Sequence, residues 1–350
     1  MADSDGDGIA DGQENPALAT FPGQGVLPTN SDPNLYDTDN DGFGDRAELL
    51  AGTNPNNSAL RPTPPAGFQL VENFEGAGMG TGQSFIGVNG WVSTVPAMAT
   101  VSEESIAGGD KVGTLTRLPA QTASISVRKA LDDALLPVIE GNTGTLFLQV
   151  YCGSANSDQS LALSDQLSPV SGDFAAFEAH TVFFPGQLHR VRDGAVARDV
   201  ATYPVGRWMN VWMVADNNAD TVRVFAESPD GQTGRIEITD DGGVDPFNFR
   251  NGTASALLQL LFITSAGAEG NSFVHVDNIY IDPTAENLST PAPAKHAAVA
   301  APAITSVRFN GTGDLLISFT PGGRGFFLAG SNNLQTSASL TAPSDLHWFG

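Results

Sequence analysis

Between residues 67 and 283 the chain alternates short apolar and β-branched runs with clusters of Gly, Asn, Asp and Pro. The runs Gln69–Glu75, Val112–Leu118, Thr145–Tyr151, Phe174–Phe184, Arg207–Ala215, Thr221–Glu227, Ala256–Thr264 and Phe273–Asp282 predict strands, and only Ala130–Val138 has a helical spacing. Short strands separated by turn residues predict an all-β fold, an antiparallel jelly-roll sandwich. Alternation with a period of two then assigns faces. Phe177, Ala179, Thr181 and Phe183 read as core, which sends Glu178 and His180 to the opposite face. Leu146, Leu148 and Val150 also read as core, which sends Gln149 and Tyr151 outward, and Asn210 and Trp212 share a face of the central run. Gln149, Tyr151, Glu178, His180, Asn210 and Trp212 are thus candidates to line a concave sugar-binding face, with aromatics as platforms and amides as hydrogen-bond partners. The competing reading, which the pattern favours, makes Trp208 and Trp212 ordinary core aromatics and His180 a satisfied surface residue.

The pattern changes at both ends. Residues 1–58 carry acidic loops in place of apolar alternation, and Arg61-Pro62-Thr63-Pro64-Pro65 makes 59–66 a stiff Pro-rich linker. After the sandwich at 67–283, Pro and Ala dominate a second linker at 284–302. In the remaining segment, 303–350, the runs Ile304–Phe309, Leu315–Thr320 and Phe326–Ala329, with Asn310-Gly311 and Gly322-Gly323 between them, predict a small C-terminal β module. Such a segment is a marginal core alone, and His347-Trp348-Phe349-Gly350 ends abruptly, so the module is expected to be cut short or completed by another chain. At the other end Met1-Ala2 runs straight into an acidic repeat, which suggests a start codon placed on an excised piece.

Composition narrows the function classes. The 350 residues include 39 acidic and 16 basic side chains, a formal charge of −23, which argues against a nucleic-acid partner. No run approaches the roughly 20 apolar residues needed to cross a bilayer, so membrane insertion is not expected. Only 16% of residues are charged while Gly, Ala, Thr, Ser and Asn abound, the profile of a β-rich extracellular protein. A single cysteine, Cys152, leaves no intrachain disulfide, so stability must come from packing and bound metal. Cys152 itself reads as a small buried strand residue.

Two stretches of the acidic segment share one template, residues 3–14 and 37–48. Acids stand at positions 1, 3, 5, 9 and 12 of both: Asp3, Asp5, Asp7, Asp11 and Glu14, then Asp37, Asp39, Asp41, Asp45 and Glu48. A hard cation needs about 6–8 converging oxygens, and a loop supplies them if position 6 can turn sharply, as Gly8 and Gly42 can. Position 7 offers its carbonyl (Ile9, Phe43), position 9 acts through water, and the position 12 glutamate closes the sphere. Ca²⁺ is therefore the expected ion. Without it, so many neighbouring carboxylates repel one another, and the loops are expected to lose their order. A helix-loop-helix arrangement fits poorly, since Asn15-Pro16 blocks an exit helix after the first loop. With Ser31-Asp32-Pro33-Asn34 ahead of the second loop and Gly52-Thr53-Asn54-Pro55 behind it, the segment resembles bacterial thrombospondin type 3-like calcium repeats. That resemblance implies that Asp32 and Asn34 add ligands to a neighbouring ion, and that the array is held by metal alone because the cysteines of the animal repeats are missing.

Residues 67–283 resemble concanavalin A-like lectin/glucanase sandwiches through Asn73-Phe74-Glu75-Gly76, the central run from Arg207 to Asn217, and the closing run from Val274 to Ile281. Retaining glucanases need two carboxylates about 5 Å apart, and no strand here carries a Glu-x-Asp-x-x-Glu array. His180, His189, Arg190, Arg192 and Tyr203 are of the types that polysaccharide lyases use, but their surroundings do not match the lyase motifs. The chain thus reads first as a secreted or cell-surface calcium protein that binds an extracellular polysaccharide or mediates adhesion, ahead of an enzyme. The alternatives are a surface-layer or filament subunit that self-assembles through the C-terminal β module, and a polysaccharide-degrading enzyme or its accessory domain.

Overall fold

Strands form where β-branched and aromatic residues run between glycine-rich turns, and short helices form where a calcium-loop template ends. The computed structural model describes residues 2–5, 7, 9–14, 18–21, 25–28, 30–104, 110–131, 134–228, 234–240, 242–243, 245–292, 304–309 and 315–319. The chain divides into two units, Met1–His296 and Ala297–Gly350. In the first, α1 (Asp11–Glu14) is followed by the hairpin β1 (Leu18–Phe21) and β2 (Gly25–Pro28), then by α2 (Asp45–Ala51). The sandwich opens with β3 (Gln69–Glu72), β4 (Trp91–Ser93), β5 (Ala99–Glu104), β6 (Asp110–Thr116), β7 (Ile125–Ala130), β8 (Thr143–Cys152) and β9 (Gln159–Ser164). It continues with β10 (His180–Phe184), β11 (Leu188–Asp193), β12 (Val196–Thr202), β13 (Trp208–Asp216), β14 (Thr221–Glu227), β15 (Ile236–Glu237), β16 (Phe247–Asn248), β17 (Gln259–Thr264) and β18 (Phe273–Asp282). In the second unit β19 (Ile304–Phe309) pairs with β20 (Leu315–Phe319) as an antiparallel hairpin; the run Phe326–Ala329 and the terminal residues lie outside the described residues.

The sandwich is two antiparallel sheets. One has seven strands in the order β12-β11-β10-β9-β17-β7-β4; the other has nine, along β15-β14-β13-β8-β18-β6-β5 with β16 on β14 and β3 on β18. Between them lies one apolar core, in which Leu161, Leu163, Leu260 and Phe262 of the first sheet join Leu146, Leu148, Met213 and Ile281 of the second. Cys152 is buried in it with a free thiol. Glu72, 4% exposed, is compensated by the Trp91 indole N–H at 3.1 Å and the Lys129 ammonium at 3.7 Å, as a buried carboxylate requires.

Three local expectations are corrected. Among its described residues, Ala130–Val138 is not an α-helix: Ala130 ends β7, Val138 bridges to Leu257, and Leu131, Leu136 and Val138 are claimed by the intersheet core, which overrides a weak propensity. Phe174–Phe184 is not one strand. A single 3-10 turn at Phe174–Ala176, capped by Asp173, shifts the phase, so Phe177 packs with Ala162, Leu261 and Ile263 while Ala179 and Phe183 enter the core. Residues 284–292 do not behave as free linker. They fold back over the nine-stranded sheet, where Asn287 N–H donates to Thr145 Oγ1 at 2.9 Å and Leu288 and Ala292 join an apolar cluster with Phe147, Trp212 and Val214.

Candidate functional site

Both acidic loops close by the same device. In the first, Ser4 donates its N–H and its hydroxyl to the two carboxylate oxygens of Asp11, each at 2.8 Å. In the second, Thr38 does the same to Asp45 at 2.8 and 2.7 Å. Position 9 is therefore the clasp of each loop and starts the short helix after it, so that the position 12 glutamate returns one turn later towards the loop. The pairing of a hydroxyl at position 2 with an acid at position 9 was the signal for this clasp, and a metal-ligand reading of position 9 passes over it. Further in, Ile9 N–H donates to Asp7 Oδ1 at 2.6 Å, Phe43 N–H to Asp41 Oδ1 at 3.0 Å and Gly42 N–H to Asp37 Oδ2 at 2.9 Å. Gly42 has φ +98°, while Gly8 lies outside the described residues.

The apolar residue at position 7 anchors each loop. Ile9 packs on Leu49 and Leu50 of α2; Phe43 packs on Ile139, Ala256 and Leu258 of the sandwich. The first loop is thus fastened to the second, and the second to the β-sandwich.

Among the described residues, carboxylate oxygens converge in three places: Asp3 with Asp5 and Asp7, Asp37 with Asp39 and Asp41, and Asp7 with Glu14 and Asp45 across the junction of the two loops. In each group one ligand atom per residue lies within 4.8 Å of the others. Among the described residues, Asp5 Oδ2, Asp7 Oδ2, both Asp39 oxygens, Asp41 Oδ2 and Glu48 Oε2 are buried with no hydrogen-bond partner. Burial pushes the Asp7 carboxyl up to about 8, with Asp5, Glu14 and Asp45 adding repulsion; burial and the neighbouring acids push Glu48 to about 8, Asp45 to about 7 and Asp41 to about 6. Buried, acceptor-only, mutually repelling oxygens fit a hard divalent cation. Asp32 joins none of these carboxylate groups; it and Asn34 are both exposed, and Asn34 donates its N–H and its amide to Asp32 Oδ1, each at 3.1 Å.

The six candidate groove residues do not share a groove. Gln149, Tyr151, Asn210 and Trp212 stand on β8 and β13 of the nine-stranded sheet, whereas Glu178 and His180 belong to the seven-stranded side. Gln149 and Asn210 are buried and bonded to each other at 3.1 Å, and Asn278 donates to Gln149 Oε1 at 2.8 Å, which consumes the amides a sugar would need. Trp212 is fully buried under residues 284–292, with its indole N–H on the Ser289 carbonyl at 2.9 Å. Tyr151 alone of the four is half-buried, in an aromatic group with Trp208 and His275.

No curated protein sequence matches the chain. Among solved structures it is similar to a sialidase (13% identity, TM-score 0.42, 65% of this chain and 19% of that one). It is also similar to the catalytic domain of a glycoside hydrolase family 131 protein from Coprinopsis cinerea (11%, TM-score 0.37, 69% and 90%) and to arcelin-5, a lectin-like defense protein from Phaseolus vulgaris (14%, TM-score 0.35, 57% and 93%). The chain therefore spans about a fifth of the sialidase. Residues 3–17 and 37–58 match the bacterial TSP3 repeat family, so the N-terminal segment carries bacterial TSP3 repeats, joined here to an antiparallel β-sandwich.

Proposed function

We propose that this chain is an extracellular calcium-binding protein in which TSP3 repeats brace a sandwich that holds polysaccharide, as an adhesion or carbohydrate-binding module. The observation that carries the reading is the set of buried, unpartnered carboxylate oxygens on two loops, the second of them packed through Phe43 against the sandwich. Asp3, Asp5, Asp7 and Glu14 would hold ions in the first loop and Asp37, Asp39, Asp41 and Glu48 in the second, with the Ile9 and Phe43 carbonyls completing the spheres. A bound cation contributes fixed positive charge, which removes the repulsion and lets both loops keep their shape. Calcium modules that work outside cells fill at about 10⁻⁴–10⁻³ M, so the extracellular part of this reading expects half-saturation in that range. Calcium titration followed by melting temperature and limited proteolysis tests the reading. Ca²⁺ should raise the melting temperature and protect residues 1–58, and Mg²⁺, which demands a tighter octahedron, should protect less at equal concentration. Identical proteolysis with calcium and with chelator would sink it.

A further inference from the structure

The outer face of the seven-stranded sheet gathers side chains that have no part in calcium binding. The register of β9, β10 and β11 sets Ser160 opposite Val182 and Val182 opposite Arg190. Alternation then brings Ser160, His180, Val182, Arg190 and Arg192 to one face. Arg250 reaches the same place from the turn after β16, fixed by its backbone N–H on the Glu178 carbonyl at 3.0 Å. Together they line a pocket of about 210 Å³.

Several donor atoms in this pocket lack acceptors, although Arg192 Nη1 donates to the Ala195 carbonyl at 2.9 Å. His180 is 1% exposed, and neither of its ring nitrogens has a hydrogen-bond partner among the described residues. The same holds for Arg192 Nε, Arg250 Nη1 and Ser160 Oγ. Arg190 is already committed: it pairs with Asp199, and its guanidinium lies 3.5 Å over the Phe184 ring. Asp158, which also lines the pocket, is hydrogen-bonded to Ser265, and burial pushes its carboxyl up. Arg192 is depressed by burial and by the repulsion of Arg250 and Arg190, while burial and the repulsion of Arg192 and Arg250 keep His180 neutral, with one N–H to donate. Buried donors left without acceptors are costly, and more so when charged. Several gathered in one cavity, in a chain with only 16 basic against 39 acidic residues, mark a place made for an anion.

The geometry points to a pocket for the carboxylate or sulfate group of an acidic polysaccharide, received by Arg192, Arg250 and His180 with Ser160 as hydroxyl partner. Phe174 and Val182 supply apolar wall for the ring that bears the charge. The overall charge of −23 opposes a polyanion only at long range, and at physiological salt that field is screened beyond about 8 Å, so the pocket acts locally. This inference rests on the polysaccharide part of the proposed function and narrows its ligand class.

Affinity electrophoresis of the full calcium-loaded chain in gels containing polygalacturonate, dextran sulfate or neutral dextran tests it, the first two distinguishing carboxylate from sulfate. Retardation is expected on one acidic polymer and not on dextran. The double variant Arg192→Gln, Arg250→Gln should weaken it at least tenfold with an unchanged melting temperature. Should that variant lose stability, each single substitution must weaken retardation in a variant that melts as the wild type does. Retardation on dextran alone would keep the glycan-binding reading and overturn the anion pocket. Acidic-polymer binding that survives both substitutions would also overturn it, and absence of binding to all three polymers would overturn both.

Discussion

Trp212 and Tyr151 sit four places apart on paired strands, Trp212 opposite Phe147 and Trp208 opposite Tyr151, yet they differ in what lies above them. The indole of Trp212 is sealed beneath Leu288, Ser289 and Ala292 and packs edge-on to Phe147 at 5.1 Å. Trp212→Ala should therefore cost about 3–5 kcal/mol by leaving a large cavity and an orphaned Ser289 carbonyl. Tyr151 keeps one side open and contacts Trp208 and His275, so Tyr151→Ala should cost clearly less. Urea unfolding of both variants decides the matter, and an equal loss of stability would contradict this account. Gly42 shows the same dependence on surroundings. Its φ of +98° belongs to the calcium-loop turn, but a Cβ there would also stand 3.3 Å from Ala256 Cβ and from Ile139, so the position serves the loop and the docking at once.

The second repeat behaves as an element because its anchor sits in an apolar cluster made with residues of the sandwich, apart from the intersheet core. Phe43 is fully buried against Ile139, Ala256 and Leu258, while its N–H donates to Asp41 within the loop. Ordering the loop with calcium should therefore stabilise the sandwich as well, since a ligand that binds only the folded state shifts the folding equilibrium. Phe43→Ala is expected to break that coupling. Calorimetry should show one calcium-sensitive transition in the wild type; in the variant, the sandwich transition should lose most of its calcium dependence. A variant whose main transition rises with calcium as far as the wild type's would show that the coupling runs by another route. The strap at 284–292 is a second such element. Its composition is that of a linker, and it becomes part of the sandwich because Trp212, Phe147 and Tyr280 present an apolar face that must be covered.

For the whole molecule, buried histidines set an acid limit on stability. Burial pushes His189 and His275 each down to about 4 from 6.5. Between those values the unfolded chain binds protons at these two residues that the folded chain does not, so their contribution to stability is present above about pH 6.5 and is lost as pH drops towards 4. His189 accepts or donates only within the fold, to Thr181 Oγ1 at 2.7 Å, and stacks on Phe183 at 5.0 Å. His189→Gln should flatten the decline of the urea midpoint across that window, even if the variant is less stable at every pH. An unaltered slope would exclude His189 as a source. At this scale the sequence alone determined the repeats and the fold class. Acid spacing, the position 6 glycine and period-two alternation are local regularities that physics reads without a partner. It also carried the faces of β8, whose Leu146, Leu148 and Val150 do enter the core. Tertiary structure alone decided what covers each face. Which sheet receives Glu178 and His180, that residues 284–292 close over Trp212, and that Arg192, Arg250 and His180 meet in one pocket all depend on strand order. Strand order joins residues from β9, β10, β11 and the turn after β16, so contacts between segments far apart in the chain, not any local pattern, bring that chemistry together.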